Sequence, residues 1–281
     1  MTMKKMSDST QPLLFEIRNC YDENETANLK TGRDLRTQES HPEREILLVL
    51  SGKSNFLLNG KIYSAVPGSA FFINQWIPHQ CDYGTIKNDF RHVWVHFHEK
   101  RLFSVLYEVR DHERSRRHLT WEHSGHLLGL LNERWDRAVL EPQRSSARQE
   151  IYRSIARILA EELAYLTSHE PREVRSNPEQ IAAWIKNYIS LQYGRNVSMS
   201  ELEKLTGYNR FYLMRLFKTE YGMTIGEYIN CVRRGFAAAA TQQGMRQKEI
   251  ALQLGFRSAS AYWLWKSRDS KRNADGNSRK T

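Results

Sequence analysis

The chain has 281 residues, 40% of them hydrophobic and 11% aromatic, which is enough for two domains with cores of their own and excludes an intrinsically disordered chain. Its longest apolar runs, such as Ile46–Leu50, fall far short of the roughly 20 residues that cross a bilayer, so no membrane partner is expected. The net charge of +10 is unevenly placed: residues 1–171 carry 23 Lys and Arg against 23 Asp and Glu, and residues 172–281 carry 19 against 9, which suits either a polyanion-binding C-terminal part or a solvated surface with a basic excess.

In chain order, the first residues are basic but lead into no apolar run. No export signal is therefore expected, and Cys20, Cys81 and Cys231 are expected to be reduced thiols in a cytoplasmic protein. Residues 45–98 read as short strands. Glu45–Leu50 is aliphatic and turns at Gly52. Ser54–Leu58 and Lys61–Ser64 flank Asn59-Gly60, a strong hairpin signal, and Pro67-Gly68 turns the chain before Ala70–Ile73. In Phe90–His98, Val93, Val95 and Phe97 alternate with Trp94, His96 and His98, the period of a strand with two unlike faces. Strands this short and closely spaced predict a small barrel or sandwich.

The period then lengthens. A helix is expected at Arg101–Arg110, and another at Ser124–Val139 with Leu127, Leu128, Leu131, Trp135 and Ala138 at helical spacing. A third opens with Ser146 and Gln149 as a capping box and carries Ile151, Ile155, Ile158, Leu159, Leu163 and Leu166 on one stripe. Such a stripe packs inside its own chain or pairs with a second copy, and a homodimer is the expectation. Thr167–Ser176 is polar, contains Pro171 and reads as a linker.

Beyond it, helix punctuation is dense. Asn177-Pro178-Glu179-Gln180 supplies a cap and a first-turn proline for a helix with Ile181, Trp184, Ile185, Tyr188 and Ile189 on its apolar face. Ser198 with Glu201 opens a short helix that stops at Gly207. Asn209 caps the next, which stops at Gly222. A longer helix covers Ile225–Gln243, Gln247–Leu254 is another short one, and Ser258 can cap one more. One unit occurs twice: short helix, glycine, aromatic, polar cap, second helix. It runs through Leu202–Asn209 and again through Ile250–Ser258. Glycine frees the tight turn from Cβ strain, the aromatic plugs the space between crossing helices, and the cap opens a helix whose first turn can face a DNA major groove.

These residues carry a resemblance. Ser198–Lys218, followed by Glu220-Tyr-Gly-Met-Thr and Tyr228-Ile-Asn, resembles the DNA-binding domain of the AraC/XylS family of transcription regulators, and Glu249-Ile-Ala with Gly255-Phe256 is similar to that family's second unit. The likeness covers roughly residues 178–262. It implies two helix–turn–helix units on a shared long helix, entering successive major grooves. It further implies that Asn209, Arg210, Phe211, Met214 and Arg215 face DNA from the first recognition helix. There Arg215 can fork onto a guanine edge or clamp a phosphate, Phe211 can touch thymine methyls and Met214 can offer a soft apolar contact. Lys218, Arg233 and Arg234 would hold phosphates, and Ser258, Ala259, Ser260 and Trp263 would be the second unit's readers. The plain alternatives are core packing for Leu213, Leu216 and Phe217 and a surface ion pair for Arg215. The sequence departs from the family at Glu203, where a small residue is usual, and after Phe256, where Ser260–Lys266 and the polar tail Ser267–Thr281 lack the family's marks. A weakened second unit and an altered or disordered tail are the expectation.

His41, Glu45, Gly52, Asn59-Gly60, Pro67-Gly68 and Ile77-Pro-His79 resemble the cupin-like domain that precedes many such DNA-binding domains. Metal-binding cupins use two histidines, a glutamate and a later histidine. Glu39 replaces the first here, while His41, Glu45 and His79 fit the others, and such mixed N/O ligands could hold a divalent metal; the resemblance to this family of regulators implies instead a metal-free pocket without a cofactor, lined by His41, Glu45, Trp76, His79, Trp94 and His96. The resulting expectation is an α+β protein. Residues 1–118 would form a cupin-like sensing barrel, residues 119–170 a helical dimerisation segment, and residues 176–281 an all-α domain with two helix–turn–helix units. Its role would be that of a DNA-binding activator, not an enzyme, answering to a small-molecule effector such as a sugar, with RNA polymerase a further partner. The alternatives are a metal-dependent cupin enzyme with a degenerate appended domain, and a regulator that pairs with other proteins after losing its second DNA-binding unit.

Overall fold

The computed structural model describes residues 17–22, 38–81, 89–98, 100–110, 115–169 and 178–277. They fall into two units: residues 17–22 and 43–169 form a sheet unit, and residues 38–42 and 178–277 form a helical unit.

In the sheet unit the strands are β1 (Asn19–Asp22), β2 (Arg44–Ser51), β3 (Ser54–Leu58), β4 (Lys61–Ala65), β5 (Ser69–Ile73), β6 (His79–Cys81), β7 (Phe90–His98), β8 (Arg101–Arg110) and β9 (Ser115–His123). They make a six-stranded sheet in the order β1-β5-β2-β7-β8-β9 and a three-stranded sheet β4-β3-β6. The β1–β5 pair is parallel and the other pairs are antiparallel. The period of two along β2 and β5 sorts their side chains to opposite faces. Leu47, Val49, Phe71 and Ile73 pack with Phe56, Leu58, Tyr63 and Ala65 of the small sheet. Ile46, Leu48, Phe72, Val93, Val95 and Phe97 pack with the two helices that follow, α1 (Gly125–Leu140) and α2 (Ser146–His169). The result is three layers, with the sheets face to face and not joined into one ring among the described strands.

Arg101–Arg110, expected as a helix, is a strand. It forms a hairpin with β7 in continuous register from Phe90↔Val109 to His98↔Arg101. Leu102, Leu106 and Val109 lie four and three residues apart, so the sequence also suits a helix, but a partner strand on each side satisfies its backbone. The second partner, β9, crosses the 118/119 boundary expected from sequence. Ser124 caps α1, its hydroxyl accepting the Leu127 N–H at 3.2 Å. Ser145, rather than the expected Ser146, caps α2, accepting the Arg148 N–H at 3.0 Å. Of the two uses open to the α2 stripe, the structure takes the internal one: Ile155, Leu159 and Leu163 are fully buried in the unit's own core.

The helical unit comprises α3 (Pro178–Leu191), α4 (Met199–Thr206), α5 (Arg210–Tyr221), α6 (Ile225–Gln242), α7 (Gln247–Gln253) and α8 (Ala259–Asn277). Ile181, Ile185, Ile189, Leu202, Leu213, Phe217 and Ile225 form one core. Ile250, Ala251, Leu254 and Tyr262, each at most 2% exposed, are buried in the second helix pair. The Asn177 cap lies outside the described residues. The polar tail proves largely helical: α8 continues to Asn277, because no proline interrupts Ser267–Asn277 and propagating an open helix costs little. Residues 38–42 pack on this unit. The Gln253 amide donates to Gln38 O at 2.7 Å and accepts the Ser40 N–H at 3.3 Å, Glu39 pairs with Arg195, and His41 stacks on Tyr193 at 5.2 Å.

Candidate nucleic-acid interface and ligand site

The first helix–turn–helix is built as its punctuation dictates. Ser198 accepts the Glu201 N–H and opens α4, and Gly207 ends it at φ +77°, in the left-handed region. Asn209 then takes an extended conformation, and its side chain accepts the Tyr212 N–H at 3.0 Å to open α5. One face of α5 buries Leu213 and Phe217 completely. The opposite face presents Phe211 (77% exposed), Met214, Arg215 and Lys218, spaced i, i+3, i+4, i+7 on one stripe. Arg215 has no ion pair or hydrogen bond among the described residues. The stripe thus joins an apolar pair to two cations on an exposed helix face.

Glu203 explains its own departure from the family. Its Oε1 accepts the Arg210 N–H at 2.8 Å and its Oε2 pairs with the Arg210 guanidinium at 3.2 Å, so it holds the first turn of α5. That backbone N–H, with the guanidinium behind it, keeps the carboxyl below the usual glutamate range. Arg210 is thereby bridged back to α4.

In the second unit Ser258 caps α8, accepting the Ala261 N–H at 3.1 Å, and Ser258, Ala259, Ser260 and Trp263 are all exposed, Trp263 by 60%. Tyr262 is buried between them, and burial raises its hydroxyl pKa. Arg233 is placed differently from the phosphate role the resemblance implies. It is half-buried, its Nε donates to Gly194 O at 3.0 Å, and its guanidinium lies 5.1 Å over the Phe256 ring. Arg234, its neighbour, is half-buried.

In the sheet unit the β2–β7 register sets Glu45 opposite His96, and His96 Nδ1 lies 2.6 Å from Glu45 Oε1. From the small sheet His79 brings Nε2 to 3.2 Å of Glu45 Oε2 while its Nδ1 lies 2.9 Å from Ile77 O. A carboxylate 5% exposed is thus held between two imidazoles. Phe56 and Trp94 wall the cluster, their rings 6.5 and 6.1 Å from His79. Trp76 sits in the Asn74–Ile77 turn at φ +63°. Of the positions a metal-binding cupin would use, Glu45 and His79 belong to the sheet unit and Glu39 and His41 to the helical unit. Sequence reasoning missed Phe56 and the Glu45–His96 pair, because a strand register between residues 51 apart leaves no mark in one sequence. It also missed Gln253 and Arg195, which hold residues 38–40.

The AraC-like ligand binding domain family matches residues 31–167, and a helix-turn-helix domain family matches residues 202–263. An uncharacterized HTH-type transcriptional regulator, YbfI of Bacillus subtilis (strain 168), is 29% identical over 79 residues, 28% of this chain and 29% of that protein. A probable transcription factor, PqrA of Proteus vulgaris, is 31% identical over 83 residues, 29% of this chain and 66% of that protein. The chain therefore spans less than two thirds of each of these relatives. Among solved structures, ToxT from Vibrio cholerae aligns over 82% of this chain and 86% of its own at 15% identity with a TM-score of 0.25. A ToxT structure with bound unsaturated fatty acid aligns over 82% of this chain and 85% of its own at 13% identity with a TM-score of 0.26.

Proposed function

We propose that the chain, which matches an AraC-like ligand binding domain and a helix-turn-helix domain, is an AraC-family transcription regulator: a sequence-specific DNA-binding protein whose sheet unit binds a small-molecule effector. The observation that carries this reading is the exposed stripe of Phe211, Met214, Arg215 and Lys218 on a doubly capped helix whose other face is sealed in the core. Lys and Arg on this surface set a salt-dependent affinity for phosphate, and Phe211 and Arg215 select bases.

The test is selection of bound duplexes from random DNA, followed by titration of a selected duplex at two salt concentrations. Arg215→Ala should lose about 1–3 kcal/mol, roughly 5- to 150-fold in Kd, and relax selectivity at one position. Lys218→Ala should weaken all duplexes alike and lower the salt slope by about one. Unchanged affinity and selectivity in Arg215→Ala would overturn the reading.

The effector site we propose is the space bounded by Glu45, His79, His96, Trp94 and Phe56, whose aromatic walls and paired polar groups suit a sugar or a comparable metabolite. We further propose an activator acting in the cytoplasm, in contact with RNA polymerase, and self-associating through the end of α1, where Leu140 is 86% exposed. The Glu45–imidazole cluster also favours a second reading, a metal-dependent enzyme, since carboxylate and imidazole are divalent-ion ligands. Stoichiometric metal in the purified protein, lost in Glu45→Ala, would support it, and metal-free protein that still binds its selected duplex would exclude it.

A further inference from the structure

The second helix pair is fastened to α6 by polar contacts that its sequence does not advertise. The Trp265 indole N–H, from α8, donates to Asn230 Oδ1 at 2.8 Å. One turn along α6, the Arg233 guanidinium stacks on Phe256, the aromatic of the second turn, and its Nε holds Gly194 O at the end of α3. The space behind is closed. A Cβ on Gly194, at φ +67°, would lie 3.0 Å from Ile229 O and 3.1 Å from Arg233 Cγ. One on Gly255, at φ +74°, would lie 2.8 Å from Arg195 Cγ. The 192–196 turn is thus wedged between α6 and the second helix–turn–helix turn. Phe256, Tyr262 and Trp265 form a triangle of rings with centroids 5.5–5.8 Å apart around the same point.

A hydrophobic seam by itself tolerates sliding and rotation, whereas a hydrogen bond and a planar cation on a ring fix an angle. We propose that Asn230 and Arg233 are positioning residues that lock the rotational phase of α8 against α5, so that the second helix meets DNA one helical turn from the first at a single angle. The proposal rests on the DNA-binding reading above. It assigns the second unit, poor in base readers, a backbone-gripping role that depends on being aimed. Burial also disfavours the Arg233 charge, in keeping with a guanidinium committed inside the protein rather than offered to phosphate.

The test is hydroxyl-radical footprinting on a duplex selected by the wild-type protein. Wild type should protect two windows about 10 base pairs apart. Trp265→Phe combined with Arg233→Met keeps the rings and the aliphatic stem and deletes both directional contacts. It should keep the first window, blur or lose the second, and lose about 10- to 100-fold in affinity, down to that of wild type on a duplex cut after the first window. Should circular dichroism show this variant unfolded, Trp265→Phe alone, which removes one donor, carries the same expectation at smaller amplitude. Two sharp windows in the folded variant would overturn the proposal. So would loss of the first window, since Arg233 would then be a phosphate contact. A wild type that protects nothing would instead overturn the DNA-binding reading itself.

Discussion

At the scale of single residues, charge placement decides more than charge number. Glu203 stabilises the first turn of α5 and occupies Arg210, but it also sets a carboxylate beside the exposed α5 face. Glu203→Ala should therefore lower the melting temperature and, at the same time, tighten binding to duplexes of any sequence, with a steeper salt dependence as Arg210 is released to phosphate. Thermal melts and anisotropy titrations of the same preparation would show both signs, and weaker non-specific binding would refute the argument. His92 is the opposite case, a titratable group with its charge suppressed. It is fully buried on β7, and desolvation pushes its pKa from 6.5 down to about 4. Above pH 6.5 folded and unfolded chains both carry it neutral and its full contribution is present. As pH falls toward 4 the unfolded chain takes the proton first, so stability drops, by about 3 kcal/mol over the whole window. Urea midpoints of wild type and His92→Gln should converge on acidification through this window, and parallel curves would contradict the assignment.

At the scale of elements, periodicity was legible where one face was polar and opaque where neither was. β7 declares itself through Val93, Val95 and Phe97 against Trp94, His96 and His98. In β8, Leu102, Phe103, Ser104, Leu106, Glu108 and Val109 are all buried, so alternation is hidden and helical spacing survives by coincidence. The capped helices α4 and α5 could be placed to the residue because their stops and starts are side-chain chemistry rather than packing. The α2 stripe shows the limit of amphipathicity: the same pattern serves a core or a partner, and only the sheet beneath it decides. Leu159→Ala should therefore lower stability by about 2–5 kcal/mol in chemical denaturation and leave molar mass in light scattering unchanged. Leu140→Ser, at a site 86% exposed, should do the reverse if copies meet on α1. A mass change in the first variant without loss of stability would place the stripe at an interface.

At the scale of the whole molecule, charge asymmetry and the doubled glycine–aromatic–cap unit were enough to mark off a basic helical half from a neutral half that carries the strands. The contacts that tune each half were not, since Glu45–His96, Asn230–Trp265 and Gln38–Gln253 join residues 51, 35 and 215 apart. The last of these alters what a domain of this chain is. Residues 38–42 furnish part of the helical unit's surface although 130 residues of another fold follow before the unit resumes. Severing the chain at the linker would not yield a finished module but one with a missing plank: Gln253 and Arg195 would lose their partners and Tyr193 its stacked ring. A synthetic nonapeptide copying residues 34–42 should then saturably raise the melting temperature of the 173–281 fragment, as a lost splint returned to its joint, and a Gln253→Ala fragment should ignore it.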